Sequence, residues 1–433
     1  MSERLPAALA AYRLFSAASE PLVDVLLAQR LRRGKEIGAR IDERRGVSAI
    51  TRPDGPLVWL HGASVGELLG VLPLIERLCA RGHRMLITSG TVTSSGIAAQ
   101  RLPAGVIHQF VPFDVPRFAA RFLEHWRPQL ALFVESELWP NTLIETAARC
   151  VPMALVNARL SERSFRRWKL LPGTIGNLLH RFDLVLARTP MDAERLHALG
   201  AARTMITGNL KLDAPAPPAE EGALAALRAA IGGRTLLAAA STHPGEEELV
   251  VAAHGGARRR FANLLTIIAP RHPERGAQVE ALARAAGLNT RLRSRGELPT
   301  GDTDLYITDT MGELGLVYRL APLVFIGGSL VRHGGQNPIE AAKLGAAIVH
   351  GPHVWNFADI YAALDAAQGA MPVKDGDALT AAVVELLGDP QRRERIAAAA
   401  RSTVDVLGGA LGRTLDALEP YLAPLRAGAA SHA

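Results

Sequence analysis

Glu67 is the residue whose type and placement point most directly to chemistry. It closes the stretch His61-Gly62-Ala63-Ser64-Val65-Gly66-Glu67, which follows an apolar run and opens a helical pattern. Gly62 and Gly66 let a substrate approach the backbone closely. A carboxylate there can act as a base on a hydroxyl once the substrate has excluded water. The competing interpretation is an acid of the first helical turn, which the helix dipole favours without any catalysis.

Two more carboxylates and a lysine fall at similar places. Glu135 and Glu137 end a strand of the buried type, where carboxylates are costly to bury without partners. An equally good interpretation is that one of the two is structural. Residues two apart in a strand point to the same face, so Glu135 and Glu137 share a direction only if the strand continues through both. Lys211 lies just before a proline run and is placed to reach a cleft between two domains, whereas a solvated lysine is the plainer interpretation.

A basic segment follows the next strand. It starts at Arg159 and Arg163 and continues through Arg166, Arg167 and Lys169. Guanidinium groups pair well with phosphate, so the segment is compatible with an anionic acceptor. The alternative is a solvated helix face.

The second half of the chain repeats the arrangement. Phe325-Ile326-Gly327-Gly328-Ser329 is another strand that stops at glycines. Such a junction predicts free backbone N–H groups at the carboxyl end of a strand, where open α/β sheets bind ligands. The segments 270–275, 309–315 and 337–340 supply phosphate ligands, glycine-flanked backbone donors and a ribose acceptor, although 337–340 also fits a plain helix cap.

Alternating strand and helix patterns predict an α/β protein with two Rossmann-like domains of parallel strands facing a central cleft. The predicted strands are 57–61, 84–89, 106–111, 130–135, 152–157, 183–187 and 204–207, then 235–240, 264–269, 304–308, 323–327 and 346–350. The proline run at 214–218 indicates the hinge. We expect an amphipathic segment at 1–35, one domain at 36–213, a second with C-terminal helices at 214–425, and a flexible tail at 426–433. The helical segment at about 376–425 fits either a cap on the second domain or a return to the first.

Composition narrows the function classes. The net charge of +7 favours an anionic partner. The competing explanation is an arginine-rich composition without any such partner. Two cysteines form no framework, and neither a metal-ligand spacing nor a nucleic-acid-binding module appears, so no metal and no nucleic acid are expected. No apolar run reaches about 18 residues. The amphipathic segment and the basic residues after it fit either an anionic membrane surface or packing on the protein itself.

Eight motifs in order resemble one family closely. They are HGASVGE, ESELWPN, NARLSERS, GNLKLD, ASTHPGEEE, PRHPER, DTMGELGLVY and FIGGSLVRHGGQNPIEAA. Together they are similar to the 3-deoxy-D-manno-octulosonic acid (Kdo) transferases of Gram-negative bacteria. The resemblance implies a GT-B glycosyltransferase fold, with the lipid A precursor on the N-terminal domain and CMP-Kdo on the C-terminal domain. It implies inverting transfer without a metal or other cofactor, at the cytoplasmic face of the inner membrane.

The resemblance also implies roles for individual residues. Glu67 is the expected general base, while Glu135, Glu137 and Lys211 position the sugar or stabilise the leaving phosphate. Acceptor contacts are expected from Ser64, Gly66, Arg159 and Arg163. Nucleotide contacts are expected from Pro270, Arg271, His272, Met311, Gly312, Glu313, Asn337, Pro338, Ile339 and Glu340.

Three other readings of the sequence remain. The main one is a GT-B enzyme that uses a different nucleotide sugar. A non-enzymatic nucleotide-sugar or anionic-lipid binding protein is the second, and it predicts that Glu67→Gln leaves function intact. A dehydrogenase is the third, disfavoured because residues 61–67 lack the full dinucleotide-binding glycine spacing.

Overall fold

The computed structural model describes residues 5–430, with the side chains of 427–430 left out. The chain forms two compact units. The first contains the chain up to Ala214 together with the chain from Leu407 onward, and the second spans Pro215–Val406.

The first unit is built on a seven-stranded parallel sheet in the order β3-β2-β1-β4-β5-β6-β7. Its strands are β1 (Leu57–His61), β2 (Arg84–Ser89), β3 (Ile107–Phe110), β4 (Leu130–Val134), β5 (Met153–Ala158), β6 (Leu184–Ala187) and β7 (Thr204–Ile206). The central strands are apolar on both parities because both faces of the sheet are covered.

Helices of this unit lie before and between the strands. They are α1 (Ala7–Ala18), α2 (Glu20–Arg32), α3 (Val65–Ala80), α4 (Val92–Arg101), α5 (Pro116–Trp126), α6 (Pro140–Ala148), α7 (Glu162–Trp168), α8 (Pro172–Leu179) and α9 (Pro190–Ala198), with 3₁₀ turns at Gly38–Arg45 and Leu210–Leu212.

The second unit has its own seven-stranded parallel sheet, in the order β10-β11-β9-β8-β12-β13-β14. Its strands are β8 (Thr235–Thr242), β9 (Leu264–Pro270), β10 (Thr290–Leu292), β11 (Leu305–Ile307), β12 (Leu323–Ile326), β13 (Ala347–His350) and β14 (Ala370–Pro372). A large apolar cluster that includes Ile268, Phe325 and Val349 forms its core.

The remaining helices follow in chain order. They are α10 (Glu221–Ile231), α11 (Glu246–Arg258), α12 (Gly276–Ala285), α13 (Leu314–Leu320), α14 (Ile339–Lys343), α15 (Ala358–Ala366), α16 (Gly376–Gly388), α17 (Pro390–Leu407) and α18 (Ala410–Ala430), with 3₁₀ turns at Pro273–Arg275, Arg293–Arg295 and Trp355–Phe357.

The end of the chain corrects the predicted extent of the second domain. Helix α18 belongs to the first unit rather than to a domain ending at 425. Leu415, Leu418 and Leu422 bury their side chains in the core that also holds Leu60 and Leu132. The pattern of α18 showed an apolar face but not which sheet would cover it. The helix also runs through 426–430, part of the expected flexible tail, whereas residues 431–433 lie outside the described part.

The N-terminal segment predicted at 1–35 forms α1 and α2, its first four residues lying outside the described range. It packs on the first unit through Leu9, and the Tyr12 hydroxyl donates to Asp114 Oδ2 at 3.0 Å. Phe15 of the same helix is 75% exposed. Within residues 5–430, no helix combines the length and the hydropathy needed to cross a bilayer.

Candidate active site

The first unit brings the predicted catalytic side chains to one edge of its sheet. Strands β1 and β4 pair directly, and the strand order reverses between them. Ligands of open α/β sheets bind outside the carboxyl ends of strands at such a switch point. Glu67 lies in the first turn of α3, after β1, and Glu135 and Glu137 come directly after β4.

Glu67 is held from its own helix terminus. The Ala63 N–H donates to its Oε2 and the Ser64 hydroxyl to its Oε1, each at 2.8 Å, while the Glu67 N–H donates to Ser64 Oγ at 3.3 Å. Burial and the Glu137 charge raise the pKa of Glu67, the two hydrogen bonds lower it, and Glu135 raises it further. The net effect is a raised pKa, so the Glu67 carboxylate is more basic than usual although it is also bound at the helix N-terminus.

Glu135 and Lys211 form an ion pair. Lys211 Nζ donates to Glu135 Oε1 at 2.8 Å, and both side chains are largely buried. Glu135 itself has φ of 56°, a left-handed conformation that is uncommon for a residue other than glycine. Non-glycine residues with such strain cluster at functional sites. The lysine is therefore a partner of the site rather than a solvated surface group.

The backbone that carries Lys211 is anchored on both sides. Asn157, at a bulge in β5 with φ of 52°, accepts from the Leu210 N–H through Oδ1 at 3.0 Å. Asp213 accepts from the N–H groups of Gly409 and Leu411, at 2.7 and 2.5 Å, before and in α18. The return of the chain to the first unit thus fixes the segment that carries Lys211.

His61 and Trp139 both contact Glu137. His61 Nε2 lies 3.4 Å from Glu137 Oε2, and the Trp139 indole donates to the same oxygen at 2.5 Å. Burial acts to raise the pKa of Glu137, but the contacts with His61 and Trp139 outweigh it, and the net direction is downward. His61 lies in the motif at residues 61–67, where the sequence indicated no role for it. A histidine at the end of a buried strand, beside a glycine junction, is the signal that marks it.

The predicted acceptor residues are less concentrated. Ser64 and Gly66 adjoin Glu67, and the Arg159 N–H donates to the Glu135 carbonyl at 3.4 Å. Arg163 lies on α7 with its side chain exposed. The structure thus brings the backbone of Arg159 to the carboxylate cluster, whereas it leaves the Arg163 side chain on an exposed face of α7.

In the second unit, several predicted nucleotide residues line one pocket. Pro270 ends β9 and Arg271 follows it, and both line a cavity together with Met311, Gly312 and Glu313. Ser241 and Thr308 also line this cavity. Arg293 holds the Glu313 carboxylate at 2.8 Å and, with burial opposing, lowers its pKa. The Glu313 side chain is therefore engaged, which leaves the backbone of this loop to meet a ligand.

The glycines after β12 correct an expectation. Their N–H groups are not free, because the buried carboxylate of Glu246 accepts from Gly328, Ser329 and Leu330 at 2.6, 2.9 and 2.9 Å. It also accepts from the His243 N–H at 3.1 Å. A protein carboxylate from α11 thus occupies the place where the pattern predicted a ligand, and sequence spacing alone does not distinguish the two.

Residues 337–340 do not line that pocket. Asn337 accepts from the Ile339 N–H at 3.0 Å and donates to Glu340 Oε1 at 3.0 Å, so both side chains are engaged at the start of the short helix α14. Ile339 is buried, as is Pro338. His272 is exposed beside the pocket, 6.0 Å between ring centroids from His243. Burial and then His333, His272, Arg271 and Arg275 lower the pKa of His243 to about 4, which marks this region as cationic.

Several known proteins resemble this chain in sequence. A family model described as 3-deoxy-D-manno-octulosonic-acid transferase (kdotransferase) matches residues 39–214. The 3-deoxy-D-manno-octulosonic acid transferase of Bordetella pertussis is 36% identical over 416 residues, covering 93% of this chain and 96% of that protein. The Rickettsia bellii protein of the same name is 33% identical over 376 residues, covering 86% and 90%.

The chain belongs to the Kdo transferase family. A glycosyltransferase of Rickettsia africae has the same fold, with a TM-score of 0.59, 12% identity, and coverage of 86% of this chain and 99% of that one. The predicted family, the α/β fold of two Rossmann-like domains in the GT-B class, and the enzyme class of glycosyltransferase are confirmed. As a Kdo transferase, the chain has its carboxylate cluster within the part that the family model matches.

Proposed function

We propose that this chain transfers Kdo from CMP-Kdo to a hydroxyl of the lipid A precursor lipid IVA, in lipopolysaccharide biosynthesis. The observation that carries the proposal is the carboxylate Glu67 at the switch point of the first sheet, with a raised pKa and both oxygens oriented. A raised pKa makes a carboxylate a better proton acceptor.

The reaction assigns one event to each group. Glu67 takes the proton of the acceptor hydroxyl, whose oxygen forms a bond to the anomeric carbon of Kdo. The bond from that carbon to the phosphate oxygen of CMP breaks, and CMP leaves with the electron pair. Attack opposite the leaving group inverts the anomeric configuration. Lys211, held by Glu135, supplies a fixed positive charge for the negative charge that develops.

The pocket of the second unit is proposed to bind the CMP part of the donor. Arg271 suits a phosphate, and the φ of 83° at Gly312 exposes backbone groups of the 311–313 loop for a base edge. The surrounding arginines and histidines favour an anionic ligand. Residues 337–340, which are tied to the start of α14, are proposed to contribute to binding the ribose and phosphate.

The direct test is to incubate the purified chain with CMP-Kdo and tetraacylated lipid IVA, without added metal, and to weigh the lipid. We expect a mass increase of one or more Kdo units. Glu67→Gln should lower kcat by about 10²-fold or more. Glu76→Gln is the matched control, because Glu76 is an exposed carboxylate on the same helix α3. Transfer from a UDP-sugar but not from CMP-Kdo would instead assign the chain to the alternative GT-B activity.

We also propose that the enzyme docks on the anionic cytoplasmic face of the inner membrane, where lipid IVA is anchored. Leu14, Phe15, Leu22 and Val25 of α1 and α2 are 76%, 75%, 67% and 69% exposed. The exposed basic residues Arg32, Arg33 and Lys35 follow them. Apolar side chains next to basic groups are the pattern by which helices lie in a membrane interface.

Sedimentation with vesicles tests docking. The wild-type chain should sediment with vesicles of phosphatidylglycerol and phosphatidylethanolamine, less at high salt and less without the anionic lipid. Leu14→Ser with Phe15→Ser should reduce the bound fraction severalfold. Val406→Ser is the control, since Val406 is 81% exposed outside these helices. Equal binding of the double variant and the control would refute docking by this surface.

A further inference from the structure

His61 is buried, and the proposed transfer chemistry gives it no task. It is the last residue of β1 and its side chain is 0% exposed. Its ring meets Phe133 edge to face at 6.1 Å between centroids. Its two nitrogens face different groups, Thr88 on one side and Glu137 on the other.

The hydrogen-bond donors around His61 determine which ring nitrogen carries the proton. The Trp59 indole N–H, which can only donate, lies 2.9 Å from Thr88 Oγ1. Thr88 Oγ1 is therefore an acceptor from Trp59, and its own hydroxyl proton needs an acceptor. His61 Nδ1 lies 3.0 Å from it.

The alternative assignment leaves a buried proton unsatisfied. If Nδ1–H donated to Thr88, the Thr88 hydroxyl would have no acceptor among the described residues, a costly arrangement in a buried site. The Thr88 carbonyl is farther from Nδ1, at 3.3 Å, and already accepts from the Gly62 N–H. A neutral imidazole carries one N–H, so the ring proton of His61 belongs on Nε2. That nitrogen is buried without a hydrogen bond in this structure, and Glu137 Oε2, 3.4 Å away, is the acceptor it faces.

We propose that His61 is a positioning residue for glycosyl transfer, which holds the Glu137 carboxylate through an Nε2–H whose place is set by Thr88 and Trp59. The inference rests on the proposed function. Glu137 connects His61 to the base, because the Glu137 charge raises the pKa of Glu67. The charged groups described at this edge include Glu67, Glu135, Glu137 and Lys211, and the backbone of Arg159 also reaches it.

Two substitutions at His61 separate positioning from simple packing. In His61→Gln the amide nitrogen reaches the former Nε2 position and can still donate to Glu137. In His61→Asn the amide reaches only the Nδ1 position, facing Thr88. Positioning predicts that Asn lowers kcat about 10- to 100-fold, the effect of removing one donor that faces a charged group, with KM little changed, and that Gln retains most activity. A packing role predicts equal losses.

The pH profile gives a second readout. Without the donor, the state with both Glu67 and Glu137 ionised becomes less favourable. The acid limb of kcat should then move to higher pH in His61→Asn and in Thr88→Val, and much less in His61→Gln. His254 provides the control pair, because it is buried in the second unit with Nδ1 2.9 Å from Thr266 Oγ1. His254→Gln and His254→Asn should leave the acid limb in place.

A measurement without substrate distinguishes this inference from the proposed function. In protein labelled with ¹⁵N-histidine, the nitrogen shifts of His61, assigned by loss of its signals in His61→Gln, should report a protonated Nε2 and an unprotonated Nδ1. A protonated Nδ1 with a bare Nε2 would overturn the inference even if the enzyme transfers Kdo. Equal losses in the Gln and Asn variants would overturn it as well, and an inactive wild-type chain would overturn only the proposed function.

Discussion

Lys211 and Glu135 form an ion pair of 2.8 Å at the carboxyl edge of the first sheet, although 76 residues separate them. Neither is held by that contact alone. Glu135 lies in a left-handed turn after β4, and Lys211 lies on a segment tied to β5 and to α18. An ion pair between partly buried, independently fixed groups is preorganised, which is what stabilises charge in a transition state.

We expect Lys211→Met to lower kcat by about 10²-fold or more, because it removes that fixed positive charge and leaves Glu135 without its partner. The KM for CMP-Kdo should change less than kcat. Steady-state kinetics with a mass readout of the product measures both. Lys374→Met is the control, as Lys374 has a side chain that is 85% exposed in the second unit. A kcat within twofold of the wild type would contradict the assigned role.

Gly70 gives a test that touches no charged group. A Cβ at this position in α3 would lie 2.9 Å from Lys211 Cε and 3.0 Å from its Cγ. Gly70→Ala should therefore push the lysine stem away and lower kcat about tenfold, the order of effect for a small misplacement of a catalytic group. Comparing kcat with the thermal midpoint separates displacement from unfolding.

Gly96 in α4 is the matched control for Gly70. A Cβ there meets nothing within 4 Å, so Gly96→Ala should keep full activity and stabilise the protein by about 0.5–1 kcal/mol through lower chain entropy in the unfolded state. If both alanine variants were fully active, the lysine stem would have to tolerate displacement, and the precision attributed to the ion pair would be wrong.

Ser64 links helix capping to the pH dependence. A base must be ionised, so activity is lost as pH falls through the pKa of Glu67, and the raised pKa places this loss above the range of an ordinary carboxylate. The Ser64 hydroxyl lowers that pKa. Ser64→Ala should thus move the acid limb of kcat to higher pH, and should cost about 1 kcal/mol of stability as a lost N-cap.

A pH–rate series with a denaturation curve for each variant checks this prediction. Ser64→Thr keeps the hydroxyl and should restore both the acid limb and the stability. An acid limb that stays in place in Ser64→Ala would mean that another group sets it.

The sequence predicted the sheets well because buried parallel strands are continuous apolar runs with strong boundaries. The first sheet contains every strand that we expected. In the second, β10 and β14 escaped prediction, since each has three residues, lies at a sheet edge, and includes a polar or proline residue. The bulge near the end of β8, before Thr242, could not be predicted from the sequence either. Ser241 adopts a φ of 57° there, and no glycine marks this left-handed position.

The candidate site was predictable in its residue types but not in its pairings. Motif order located Glu67, Glu135, Glu137 and Lys211. The partner of Lys211 and the role of α18 depend on contacts between distant parts of the chain. At Glu246 the sequence prediction was wrong in another way. The backbone N–H groups after a glycine junction bind any carboxylate, and here they bind one from the protein itself and not a ligand.

Arg293 tests the donor pocket without altering a predicted ligand residue. Its guanidinium donates to the Glu313 carboxylate, and this hydrogen bond is the main cause of the lowered pKa of Glu313. The pair therefore holds the 311–313 loop. Arg293→Met should free the loop and raise the KM for CMP-Kdo about tenfold with little change in kcat, the signature of weakened ground-state binding. Arg259→Met, at an exposed arginine of the same unit, is the control. Calorimetric titration with CMP should show the same loss of affinity. If CMP bound Arg293→Met as tightly as wild type, this loop would not be part of the nucleotide site, and the pocket would have to take its ligand on the Arg271 side alone.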